Sequence, residues 1–152
     1  KFFFTYNKNG ANLPLALNIK SDGLQEKLKC LIEKYNIKNY FVFDMSIPNT
    51  MLYLDFGMNI LIRRSEYEHE LEIPGNIHGI WLDQFESNWY GIDLIESIIK
   101  KWEFVCIVSP DLHGRDNKSC WSLLADSSVL SNSKMMICTD YPLQAEEYFN
   151  EK

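Results

Sequence analysis

Polar residues able to do acid, base or anion-binding chemistry gather at the downstream ends of apolar runs in this chain. The run "LALNIK" ends on Asn18 and Lys20, "YFVFD" on Asp44, and "NILIRR" on Arg63 and Arg64. "GIWLDQF" carries Asp83, "EFVCIVS" leads into Asp111, His113 and Arg115, and "KMMICTD" closes on Thr139 and Asp140. Two or three cations facing several carboxylates suit an anionic, phosphate-like substrate, with or without a divalent cation held by oxygen ligands. Of the 3 histidines, His113 in the loop "SPDLHGR" is the best placed to exchange a proton near neutrality. His69 sits in an acidic loop and His78 before a strand, and both read as surface residues. Lys20 and His113 are thus the catalytic candidates, and Arg63, Asp44, Asp83, Asp111 and Arg115 the substrate-binding ones.

Each candidate also has a plainer reading. A strand-end lysine such as Lys20 can snorkel or form a salt bridge. Asp44 can cap the helix that follows it. Arg63 and Arg64 are neighbours on a strand and face opposite sides, so at most one belongs to a site. Asp140, before Tyr141 and Pro142, can serve a helix N-terminus. The aromatic residues of "FESNWYG" can line a site mouth or simply pack.

The elements that must position these residues follow from periodicity. The six runs cover residues 15–20, 40–44, 59–64, 79–85, 103–109 and 134–140. They are short, apolar and rich in β-branched or aromatic residues, as strands covered on both faces must be. Between them lie helical patterns. In "LQEKLKCLIEKY", Leu24, Leu28, Leu31, Ile32 and Tyr35 recur at helical spacing, with Asp22 as N-cap. In "IDLIESIIKKW", Ile95, Ile98, Ile99 and Trp102 form a stripe, and Lys100 and Lys101 complement the macrodipole in the last turn. "NTMLYLDFG" ends on Gly57, suited to C′; "NKSCWSLLADSSVL" and "PLQAEEYFNE" complete the set. The acidic segment 65–78 has no stripe and reads as a long loop. Alternating strands and helices imply an α/β fold with a parallel sheet and right-handed crossovers, either a (β/α) barrel or an open doubly wound sheet. In both, the carboxyl ends of the strands share one face, where ligands bind.

Composition excludes several classes. With 152 residues, 46% of them hydrophobic, the chain can build one substantial core and reads as one domain. The net charge of −6, with no Lys/Arg run longer than two residues, argues against non-specific nucleic-acid binding. No apolar run approaches the roughly 20 residues that span a bilayer. The 4 cysteines follow no metal spacing and read as reduced, mostly buried thiols of a cytoplasmic protein. The turn "KSDG" after the first strand is not a dinucleotide or Walker sequence.

Taken in order, "LALNIKSDGL", "YFVFDMS", "GIWLDQFE", "VSPDLHGR" and "ICTDYPLQAEEYF" resemble the later part of glycerophosphodiester phosphodiesterase-like proteins, of the phosphatidylinositol phospholipase C-like superfamily. The "TDxP" signature is intact at Thr139, Asp140 and Pro142, whereas the "NIEIK" pattern is altered to "ALNIK". The resemblance implies a (β/α)8 barrel of TIM type, of which residues 1–152 are one partial domain with strands three to eight, the N-terminal strands missing. It implies phosphoric diester hydrolysis by the full-length protein. That family's "HRG" and "HD" histidines, its general acid and base, do not occur in this sequence, which begins with Lys rather than Met. An inactive C-terminal fragment, with open barrel edges prone to self-association, is therefore the expectation for these residues alone. A magnesium or calcium ion would be held mostly by the missing part; Asn18 stands where the family has a metal-binding glutamate, and an uncharged amide is the weaker ligand. Lys20 matches the lysine near the phosphate. A non-catalytic sugar-phosphate or polyol-phosphate binding barrel, or an unrelated doubly wound ligand-binding domain, are the alternatives.

Overall fold

A computed structural model describes residues 2–8, 13–69, 73 and 75–151. The fold is α/β with parallel strands, and all six strand runs form strands: β1 (Leu15–Asn18), β2 (Tyr40–Phe43), β3 (Leu61–Arg64), β4 (Gly79–Leu82), β5 (Phe104–Val108) and β6 (Met135–Cys138). The helices are α1 (Phe2–Lys8), α2 (Gln25–Lys34), α3 (Ile47–Asp55), α4 (Ile92–Lys101), α5 (Lys118–Ala125) and α6 (Pro142–Asn150). Only α1 lacks a counterpart among the helical patterns. The chain divides into two compact units, the first comprising Lys1–Leu61 and Pro74–Ile77, the second Ile62–Ile73 and His78–Lys152.

In the first unit β1 pairs in parallel with β2, Leu15 opposite Tyr40 and Asn18 opposite Phe43. Ile60 adds a parallel bridge to Val42. Side chains of β1 alternate between half-buried Leu15 and Leu17 and exposed Ala16 and Asn18, as a strand covered on one face requires. The alternation carries on to buried Ile19 and exposed Lys20. In α2 the buried face differs from the expected stripe. Gln25 and Ile32 are buried while Leu24 and Leu31 are exposed. Gln25 tolerates burial because its amide nitrogen donates to Asn49 Oδ1, so a polar pair occupies a position that periodicity assigns to apolar residues. Cys30 is likewise exposed rather than on the packed side. The N-cap of α2 is Leu24 without a side-chain hydrogen bond, so Asp22 does not cap it. Gly57 follows α3 with φ +61, the left-handed conformation expected of it.

In the second unit the sheet order is β3-β4-β5-β6. β4 pairs in parallel with β5, Trp81 opposite Cys106, and β5 with β6, Ile107 opposite Ile137. Ile80, Leu82, Val105 and Ile107 pack with Ile95, Ile98 and Ile99 of α4, Trp121 and Leu124 of α5, and Ala145 of α6. Each large apolar side chain buried there contributes about 1.5–3 kcal/mol relative to exposure. Strand alternation sends Trp81, Asp83, Cys106 and Cys138 to the opposite face.

Among the described residues the strands form a two-stranded and a four-stranded sheet, and within each sheet neighbours in space are neighbours in sequence. No helix among the described residues is long and apolar enough to cross a membrane.

Candidate functional site

The polar strand ends of the second unit converge on the loops after β4 and β5. Asp83, 5% exposed at the end of β4, is buried by neighbouring strands and cannot be left without partners. Its Oδ1 accepts a bond from the Gln84 N–H at 2.9 Å and lies 2.7 Å from His113 Nε2. An ionised carboxylate only accepts, so Nε2 carries the proton and Nδ1 is the nitrogen left to exchange one with a ligand. Phe85 fixes the imidazole from the side, ring centroids 4.7 Å apart. The Arg63 Cζ lies 5.6 Å from the centre of the same Phe85 ring. Arg63 also pairs with Glu68, Nη2 to Oε1 at 3.0 Å.

His113 closes a 3-10 turn, Pro110–His113, that leaves β5 at Ser109 and ends on Gly114 at φ +69. The turn is pinned by Asp111. Its carboxylate accepts from Ser109 Oγ, from Thr139 Oγ1 at 2.8 Å and from the Asp140 N–H at 2.7 Å, tying the end of β5 to the end of β6. Burial pushes this carboxyl up, but the bonds from Ser109, Asp140 and Thr139 together outweigh it and hold it below the usual carboxylate value. Ser109 is fixed in turn by Trp121, whose Nε1 donates to Ser109 Oγ at 2.9 Å.

Arg115 braces the loop after β4, Nη1 donating to Gln84 O and Nη2 to Asn88 Oδ1, each at 2.8 Å. Trp89 Nε1 donates to Asp83 O at 2.7 Å. Its neighbour Gln84 is buried, with its amide nitrogen 3.0 Å from both Tyr90 Oη and Val108 O. The thiols on this sheet are poor nucleophiles. Burial pushes Cys106 well up, and Cys138 up to about 11.

In the first unit, Lys20 and Asp44 come together: Nζ and Oδ2 are 2.5 Å apart, the lysine side chain 73% exposed and the aspartate 18%. Asp44 turns the chain at φ +70, a left-handed conformation that aspartate tolerates better than most residues. That turn aims its carboxylate at Lys20 rather than at α3, whose N-cap is Ser46. The N-cap position of α3 is thus Ser46 and not Asp44. Likewise α6 has Tyr141, not Asp140, at its N-cap, and Asp140 contributes its N–H to Asp111 instead.

The second unit thus brings together Asp83, His113, Asp111, Arg115 and Arg63, and the first brings together Lys20 and Asp44. Glu66 was not legible as a site residue. Its carboxylate accepts from the N–H groups of Phe85 at 3.1 Å, Glu86 at 2.8 Å and Ser87 at 3.3 Å. Nothing in the acidic segment distinguishes Glu66 from its neighbours, because its partners are main-chain groups. Asn18 is exposed on β1. Among the described residues no three His, Cys, Asp or Glu side chains cluster as a cation site. No family model, curated protein or solved structure matches the chain.

Proposed function

We propose that the protein acts on small phosphoric diesters as a hydrolase of the glycerophosphodiester phosphodiesterase-like type, built on a TIM-type barrel. The observation that carries the reading is the Asp83–His113 pair at 2.7 Å, at the carboxyl end of a parallel sheet. Sequential strand order, with no reversal in either sheet, and α4, α5 and α6 sharing one sheet face support the barrel over a doubly wound sheet, whose order reverses at a switch point.

The chemistry this chain's residues supply is proton transfer and anion stabilisation. Asp83 holds His113 with Nε2 protonated, so Nδ1 takes a proton from an attacking hydroxyl or gives one to a departing alkoxide. Asp83 stabilises the imidazolium that forms, while Phe85 keeps water from one side of the ring. Arg63 is the cation placed to offset charge on the phosphoryl oxygens. The test is hydrolysis of bis-p-nitrophenyl phosphate and glycerophosphocholine by the complete gene product. Turnover that falls at least about a hundredfold in His113→Asn, with unfolding unchanged, supports the reading; turnover indifferent to that change removes it.

A second reading is non-catalytic binding of a sugar phosphate or polyol phosphate. It asks of the residues only anion complementarity, as at Arg63, and no proton transfer by His113. Saturable binding of such a ligand without turnover distinguishes it.

A further inference from the structure

Three consecutive main-chain N–H groups, those of Phe85, Glu86 and Ser87, converge on the carboxylate of Glu66 at 3.1, 2.8 and 3.3 Å. Successive amides pointing into one concavity make an anion-binding nest. Such a group of donors can hold a phosphate as well as a carboxylate, since the unprotonated oxygens of both are charged acceptors.

We propose that the amides of residues 85–87 form an oxyanion site that the chain fills with its own Glu66, and that the phosphate group of a ligand takes the carboxylate's place. The nest stands on its own geometry; the ligand's chemical class rests on the phosphodiester reading above.

Two features support this assignment. The first is location. Phe85 donates its N–H to the nest, while its ring touches the His113 imidazole at 4.7 Å and lies 5.6 Å from Arg63 Cζ. An anion in the nest is therefore one residue from Gln84 and two from Asp83, beside the groups that handle protons and charge. The second is the segment that delivers Glu66. It is a short turn closed on itself: Ser65 N–H donates to Glu68 O at 3.1 Å, Glu68 N–H to Ser65 O at 3.2 Å, and Ser65 Oγ accepts from Tyr67 N–H and Glu68 N–H at 3.2 Å each. In the proposed exchange Glu66 leaves the nest while this turn, anchored by buried Ser65, keeps its own bonds. Burial raises the Glu66 carboxyl, but the amide bonds outweigh it and keep it below the usual value, as for an anion held by its site.

A tethered carboxylate competes at an effective concentration on the order of millimolar or above, so it masks the site from phosphate in the unmodified protein. Removing it uncovers the intrinsic affinity, a gain of about tenfold or more. The probe is inorganic phosphate, titrated into ¹⁵N-labelled protein and into Glu66→Ala, following the amide resonances of Phe85, Glu86 and Ser87. The expected result is tighter binding by that factor in Glu66→Ala, with these three amides showing the largest shifts. Glu66→Gln keeps the side-chain volume should the alanine variant fail to fold, and is expected to show a smaller gain. Unmoved amides at 85–87, or an affinity equal to that of the unmodified protein in the folded variant, overturn the proposal. Phosphate binding at these amides without hydrolysis of any diester keeps the nest and removes the hydrolase reading. Hydrolysis with amides indifferent to phosphate does the reverse.

Discussion

Replacing Asp111 by alanine removes the acceptor that joins the ends of β5 and β6. Three donors lose their partner: Ser109 Oγ, Thr139 Oγ1 and the Asp140 N–H. A hydrogen bond to a charged group contributes about 1.5–3 kcal/mol net, but only where water cannot replace the lost acceptor. Asp140 is exposed and Thr139 half-buried, so both rehydrate, whereas Ser109 is wholly buried. The expected loss is thus dominated by one bond and amounts to about 2–3 kcal/mol, with Asp111→Asn losing about half as much because one acceptor oxygen remains. Urea unfolding followed by tryptophan fluorescence measures it, Trp121 being the reporter bonded to Ser109. The same variants give the sign of the pH dependence. Because the folded carboxyl titrates below its ordinary value, its contribution is complete above about pH 4 and is lost as pH falls through the folded pKa. Asp111→Asn should flatten that acid limb. A change under about 0.5 kcal/mol in Asp111→Ala, or an acid limb identical to that of the unmodified protein, would refute the reasoning.

Three further outcomes follow from particular contacts. Gly79→Ala places a Cβ 2.2 Å from Phe104 O, a main-chain atom of the neighbouring strand that cannot swing aside, so a loss of about 3 kcal/mol or more is expected in urea unfolding. Asp83→Asn can offer an N–H to His113 Nε2, moving the ring proton to Nδ1; histidine ¹⁵N shifts should report the changed tautomer, and turnover by the complete gene product should fall at least about a hundredfold. Lys20→Met breaks an ion pair whose lysine is largely exposed, so stability in urea unfolding should change by less than about 1 kcal/mol; a larger loss would show that the pair holds the ends of β1 and β2 together.

What could be read from the residues was whatever depended on local periodicity. Runs such as "FVCIV" and "GIWL" became strands, and the Ile95, Ile98, Ile99 stripe became the buried face of α4, because burial on the sheet and helical spacing agree there. Asp83, Asp111 and His113 were visible as polar groups at strand ends, and Lys20 and Asp44 as opposite charges at two others. Their pairings were not visible. Asp83 with His113, 30 positions apart in sequence, is set by the parallel register of β4 and β5 and by the turn after β5. The N-cap positions fall instead on Leu24, Ser46 and Tyr141, because where a helix begins is decided by backbone geometry that the residue type alone does not fix; the Asp44 side chain pairs with Lys20. Gln25 and Gln84 are buried against their polarity, since partners on other elements satisfy them. Glu66 was hidden because main-chain donors have no sequence signature.

In the proposed function, the carboxyl ends of the second unit's strands receive a phosphate ester beside a histidine held by Asp83. The most direct measurement is the ¹⁵N spectrum of the His113 imidazole during titration with glycerophosphocholine, in the unmodified protein and in Arg63→Met. Nε2 should remain protonated against Asp83 while the Nδ1 resonance moves saturably, with affinity weakened at least about tenfold when the guanidinium is lost. Ring nitrogens of His113 that stay unmoved at saturating ligand would contradict it.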